Sequence, residues 1–228
     1  MAGSEQNPTL VTQAASEVAP ESSHLLAFFI SNLRRIGVAV ALCLCLAVGY
    51  GVYTWHANAQ LTKAHKELGA ILVMASDAER LVALKAFAAT APSKMQDGLQ
   101  LALARTALLV KEYPVATAAW DALTKNPKAP IYVVAVIGKA ESLALEDKEK
   151  EAIAFLSGIK LPEGGEAMVL VDSLIVDFAE KIGDFPKAIA ASEKLVSTVA
   201  SRGPEEADFW RRKAASLRLA QNAAAAKQ

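Results

Sequence analysis

The chain lacks most of the residue types from which active sites are assembled. Its 228 residues include two cysteines and three histidines, and neither type occurs after His65. Residues 66–228 are thus without the ligands of Cys/His zinc sites and the bases of Ser/His or Cys/His nucleophilic schemes. His56 and His65 lie nine positions apart, about half a turn out of phase on a helix, and cannot share a metal. Cys43 and Cys45 fall on nearly opposite helix faces, which suits neither a disulfide nor a metal. Lys and Arg total 24 against 24 Asp and Glu, so no positive surplus exists for phosphate binding and nucleic acid is excluded as the main partner. There is no G-x-G-x-x-G or Walker pattern, and Gly164-Gly165 reads as a turn before a helix. The acids Glu146, Asp147, Glu149 and Glu151 alternate with Lys148 and Lys150 and read as a solvated turn, not a catalytic carboxylate pair. No catalytic, metal-binding or cofactor-binding residue is expected, nor a small-molecule substrate; the chain reads as a binding protein and not an enzyme.

Alanine is abundant, at about a fifth of all positions, within 53% hydrophobic and only 6% aromatic residues. Alanine has the best helix propensity, so an all-α chain is expected, and the apolar fraction is too high for disorder. Part of that fraction is a single block, residues 36–55 (IGVAVALCLCLAVGYGVYTW), which contains no charge. Twenty helical residues rise about 30 Å, the thickness of a bilayer's hydrocarbon core. Arg34 and Arg35 close its amino side, and Tyr53 and Trp55 stand at the other end, where an aromatic belt belongs. The next basic residue is Lys63, so the positive-inside rule places residues 1–35 in the cytoplasm and the bulk of the chain across the membrane. Ala57-Asn58-Ala59 also fits a signal-peptidase site, and cleavage after Ala59 stays open. Against it, the apolar block is longer than the roughly 7–15 residues of a signal core.

Residues 1–23 are rich in Ser, Thr, Gln, Pro and Glu and read as a disordered tail. A short amphipathic stretch over 24–33 then brings Phe28 and Phe29 to the membrane surface. The anchor helix is expected to run on to about Ala75, and Asp77 to open a helix ending before Ala91-Pro92, so that 56–95 forms connecting helices. From 96 to 228 the chain repeats itself. The segments 109–127, 145–162 and 181–197 each carry a charged turn and then an apolar helix, with Ala116, Ala152 and Ala188 in register at a spacing of 36. Another apolar helix precedes each, over about 97–111, 131–145 and 166–182. A last helix opens at Gly203-Pro204-Glu205-Glu206, with proline in the first turn and acids at the positive end of the dipole. It carries Phe209, Trp210, Leu217 and Leu219 beside Arg211, Arg212, Lys213 and Arg218, and reads as a cap with one wet face.

The segment Gly183-Asp184-Phe185-Pro186-Lys187-Ala188-Ile189 resembles the turn and second helix of tetratricopeptide (TPR) repeats, in which a Gly-Asp-aromatic turn leads to an alanine where neighbouring helices close-pack. The two earlier repeats keep the alanine but have Glu112 and Asp147 near the turn instead of glycine, and the period of 36 exceeds the usual ~34. The resemblance covers about 96–202 and implies a TPR-like α-solenoid. The whole layout, with LLAFFISNLRR before the anchor, Tyr-Thr-Trp at its end, a long helix and then the repeats, is similar to the YfgM-like family, ancillary subunits of the bacterial Sec translocon. That resemblance implies a single-pass anchor in the bacterial inner membrane and a periplasmic domain. It also implies translocon, periplasmic chaperone and unfolded or extended polypeptide as partners. A structural scaffold for another envelope complex, in cytochrome maturation or in pilus or secretion assembly, is the alternative.

In TPR domains the first helix of each repeat lines the concave surface. Carried over in the register of Ala116, Ala152 and Ala188, the resemblance gives a column of Arg105, Glu141 and Asp177. Leu101, Ile137 and Ser173 flank it on one side, and Leu108, Ala144 and Glu180 on the other. A groove on these residues is apolar early and acidic late, and fits apolar or extended polypeptide segments. A competing expectation makes Arg105 and Glu141 an ion pair between repeats and assigns the leucines to the core. A carboxylate clamp is not expected, because Asn58, Asn126 and Asn222 fall on none of those helices.

Overall fold

The computed structural model describes residues 33–161, 165–201 and 203–226. The expected tail, most of the amphipathic stretch before the anchor, the side chain of Arg34 and the turn at Gly164 lie outside the described residues. Among the described residues every regular element is helical and there is no strand. The chain divides into two compact units, one ending at Thr62 and the other beginning at Lys63.

Helix α1, Leu33–Leu72, runs unbroken through the apolar block and stops three residues short of Ala75. Beyond it Ser76 takes an extended conformation and caps the next helix, accepting a hydrogen bond from the amide of Glu79 at 3.3 Å. Over Val40–Leu72 it is long and apolar enough to cross a membrane. Its described apolar side chains between Val38 and Val52 are exposed on every side, with Arg35 exposed before them and Tyr53 and Trp55 exposed after them. A helix apolar all round, with no core about it among the described residues, is of the kind that lipid buries.

The second unit continues with α2 (Asp77–Ala88), a 3-10 turn (Ser93–Met95), α3 (Gln96–Leu109), α4 (Tyr113–Thr124), α5 (Tyr132–Leu145), α6 (Glu149–Ser157), α7 (Glu166–Lys181), α8 (Phe185–Val199) and α9 (Pro204–Ala225). From α2 onward each helix packs on the one that follows it, and α5 also touches α7. Contacts therefore stay local along the chain, the arrangement of lowest loop-closure cost.

The reversals from α3 to α4, α5 to α6 and α7 to α8 use one turn. Lys111, Asp147 and Gly183, 36 apart, take positive φ of 63°, 59° and 74°. The amide after each reaches back to the carbonyl five residues earlier: Glu112 to Ala107 at 2.8 Å, Lys148 to Leu143 at 3.0 Å, Asp184 to Ala179 at 2.8 Å. The positive-φ residues themselves donate to Leu108, Ala144 and Glu180. These are the two bonds of a Schellman termination, which needs a left-handed residue at its centre. Glycine takes that conformation freely and aspartate tolerates it, whereas lysine pays about 1–2 kcal/mol. Lys111, and not Glu112, thus stands where the third turn has glycine.

Five residues past each positive-φ residue, Ala116, Ala152 and Ala188 are completely buried. Their methyl groups are small enough for neighbouring helices to close on them. Val136, Ile153, Leu156, Val176, Leu195 and Val199 fill the core around α5–α8. On α9, Ala207, Trp210, Ala214 and Leu217 recur at helical spacing and are buried, so the helix does present one packed stripe. Phe209 and Leu219 are not on it; both are exposed. The acidic turn also departs from expectation, because packing brings partners to it. Glu146 accepts from Thr117 Oγ1 at 2.5 Å and from Lys148 Nζ at 2.7 Å, and the buried Glu149 pairs with Lys181 of α7.

Candidate protein-binding face

The expected groove residues stand on α3, α5 and α7, the first helices of three successive pairs. Arg105, Glu141 and Asp177 are all exposed, and Leu101, Ile137 and Ser173 are all half-buried. In the third column Leu108 and Glu180 are half-buried and Ala144 is buried. Within each helix the columns sit at n−4, n and n+3, which is one helical stripe. The competing expectation is not met. Among the described residues Arg105 and Glu141 form no ion pair, because the packing runs from α3 to α4 and from α4 to α5. Leu101 and Leu108 are likewise only half-buried.

One further step of 36 from Ser173 and Asp177 reaches Phe209 and Lys213 on α9, which sequence reasoning had left in the cap. Lys213 Nζ donates to Glu180 Oε2 of α7 at 2.5 Å, so the stripe of α9 meets the stripe of α7. Although Asp177 is exposed, partial loss of water around its carboxyl raises it above the ordinary aspartate range; Lys213 opposes the shift and Glu180 adds to it. One turn before Ile137 and Ser173, Val134 and Leu170 are each 50% exposed, and Phe209 is 52% exposed. At the far end of the stripe Leu109 and Leu145 are exposed too, again 36 apart. Single exposed apolar residues need no explanation. Here Val134 and Leu170 share one register of successive first helices, Leu109 and Leu145 share another, and Phe209 takes that of Ile137 and Ser173, beside a column that runs Arg105, Glu141, Asp177, Lys213. Such a face can bury an apolar segment, and the charges can fix its direction and register.

The side formed by the second helices offers less. A surface hollow bounded by Pro114, Thr117, Glu146, Lys148 and Glu151 recurs 36 residues later at Lys150, Ile153, Ile182, Asp184 and Lys187. In the first of these the charges are spent on one another. Lys139 bonds Asp121 at 2.6 Å and lies 4.1 Å from the centre of the Phe155 ring. Burial alone would raise the Glu146 carboxyl, but hydrogen bonds from Lys148 and Thr117 outweigh it and hold the group below the usual glutamate range. Among the described residues no group of three His, Cys, Asp or Glu side chains is placed to hold a metal. No protein-family model, curated protein or solved structure matches this chain.

Proposed function

We propose that this chain is a membrane-anchored, TPR-like adaptor whose first-helix face binds polypeptide. One observation carries the reading: large apolar side chains stand exposed at matching registers of successive first helices, Val134 with Leu170 and Leu109 with Leu145, and the exposed Phe209 follows in the register of Ile137 and Ser173. The positive-φ turns at Lys111, Asp147 and Gly183 and the buried alanines at 116, 152 and 188 support a solenoid of helix pairs with a period of 36. The apolar α1 supports a single anchor, and Arg34 and Arg35 against a distant Lys63 support a cytoplasmic amino terminus and a periplasmic domain. Within that compartment the resemblance to YfgM-like proteins favours service beside the Sec translocon and a periplasmic chaperone, on emerging or unfolded chains.

Photocrosslinkers at Leu101, Ile137 and Asp177 test the face. Adducts with an exported chain or a translocon-associated protein are expected. Crosslinks only to the protein's own helices would remove the binding role, and adducts solely with subunits of a different envelope machine would replace it with a scaffold role.

A further inference from the structure

Two helical glycines in the second unit have no packing reason to be glycine. A Cβ added at Gly69 of α1 or at Gly98 of α3 would meet nothing within 4 Å, whereas one added at Gly138 would run into the Trp120 ring. Glycine inside a helix costs about 0.5–1 kcal/mol relative to alanine. The space above both glycines belongs to one hollow of about 380 Å³, open to solvent, between the last turns of α1 and the entry to α3. Leu68, Leu72 and the His65 ring line its α1 side, and the buried Met95 lines it before α3. Leu72 continues into the exposed Val73 and Met74, so the lip is apolar as well. The lining holds one permanent cation, the exposed Lys94, and no carboxylate, and among the described residues Lys94 makes no ion pair.

We propose that this hollow is a socket for one apolar side chain, of leucine or phenylalanine size, presented by a partner polypeptide that carries an acidic side chain beside it. The apolar walls and the missing Cβ atoms accommodate the side chain, and the Lys94 ammonium meets the neighbouring carboxylate. An ammonium is a point charge with no fork of donors. A single one in an open trough suits a carboxylate on a passing segment rather than a chain terminus, which needs several donors to fix it. Gly98 lies three residues before Leu101 on α3, so a segment held here continues onto the first-helix face. The inference rests on the polypeptide-binding reading for the class of ligand only.

The test uses the full-length protein in nanodiscs and two fluorescein-labelled twelve-residue peptides, otherwise Gly and Ser, with a central Glu-Phe-Glu or Lys-Phe-Lys. Fluorescence anisotropy is expected to give at least tenfold tighter binding of the acidic peptide. Gly98→Leu and Gly69→Leu, which fill the hollow, are each expected to weaken it at least tenfold with no fall in melting temperature, and Lys94→Glu to reverse the preference. Leu170→Glu is expected to leave the affinity within twofold. Equal affinity for the two peptides, no binding of either, or indifference to both glycine variants would overturn the socket. Loss of binding in Leu170→Glu alone would do the same while leaving the first-helix face intact. Conversely, failure of the crosslinking at Leu101, Ile137 and Asp177 alongside a positive titration would sink the broader reading and leave the socket standing.

Discussion

Substituting alanine at two helical glycines is expected to have opposite effects. At Gly138, on α5, the new Cβ would lie 2.5, 2.7 and 2.9 Å from Cε2, Cδ2 and Cζ2 of Trp120. Carbon atoms pack at about 3.5–4.0 Å, so the indole must retreat by about 1 Å. It has little room: Trp120 is 4% exposed, lies between α4 and α5, and its Nε1 is buried without a partner. Overpacking of this kind costs about 1–3 kcal/mol, against about 1 kcal/mol recovered from helix propensity. The net loss is up to about 2 kcal/mol, which for a domain of this size lowers the melting temperature by up to roughly 8 °C. Gly98→Ala meets no clash, keeps the propensity gain and is expected to raise it by about 1–3 °C. Near-ultraviolet circular dichroism melts of the detergent-solubilised full chain follow both, since Trp120 reports its own surroundings. Trp120→Leu should make Gly138→Ala less harmful than it is alone. If Gly138→Ala proved as stabilising as Gly98→Ala, the close packing of α4 on α5 as described would be wrong.

The three Schellman turns give a graded series, because their central residues differ in tolerance of positive φ. Lys111→Gly should gain about 0.5–1 kcal/mol, the relief of left-handed strain less the entropy of the freer unfolded chain; Asp147→Gly should gain less, and Gly183→Ala should lose about 1 kcal/mol, all read from denaturant midpoints. Asp177→Asn tests the polar column. A carboxyl whose folded pKa is raised binds its proton more tightly folded than unfolded, so stability falls as pH rises from the unfolded value of about 3.9 through the higher folded value, and the penalty is absent below the unfolded value. The variant should therefore melt higher than the wild type at pH 7 and no higher at pH 3. Leu170→Glu changes a half-exposed position and should alter stability by less than about 0.5 kcal/mol, while abolishing crosslinks from Ile137.

Helix limits were legible because their signals are local: Ser76 caps α2, and Pro204 with Glu205 and Glu206 opens α9. The spacing of 36 was legible in three alanines because close packing of second helices tolerates little else there. Lys111 could not be read as a left-handed residue, since lysine carries no turn preference; only the positions of Asp147 and Gly183, stepped back by 36, point to it. Nor does hydrophobicity distinguish the exposed Val134 and Leu170 from the buried Val136 and Val171, all within apolar helices. That difference is set by which neighbour each helix meets. Phe209 and Lys213 were within reach, one step of 36 beyond Ser173 and Asp177. The pairing of Glu146 with Thr117 was not, because it depends on how α4 packs beside the turn that follows α5.

Whether the first-helix face engages polypeptide is decided most directly by photocrosslinking in membrane vesicles exporting a radiolabelled chain, with the probe placed at Ile137 of α5 or at the exposed Lys150 of α6. Adducts between the labelled chain and the Ile137 probe, with none from Lys150, are the expected result. Equal labelling from both positions, or none from Ile137, would mean that the recurring apolar residues do not form a binding face.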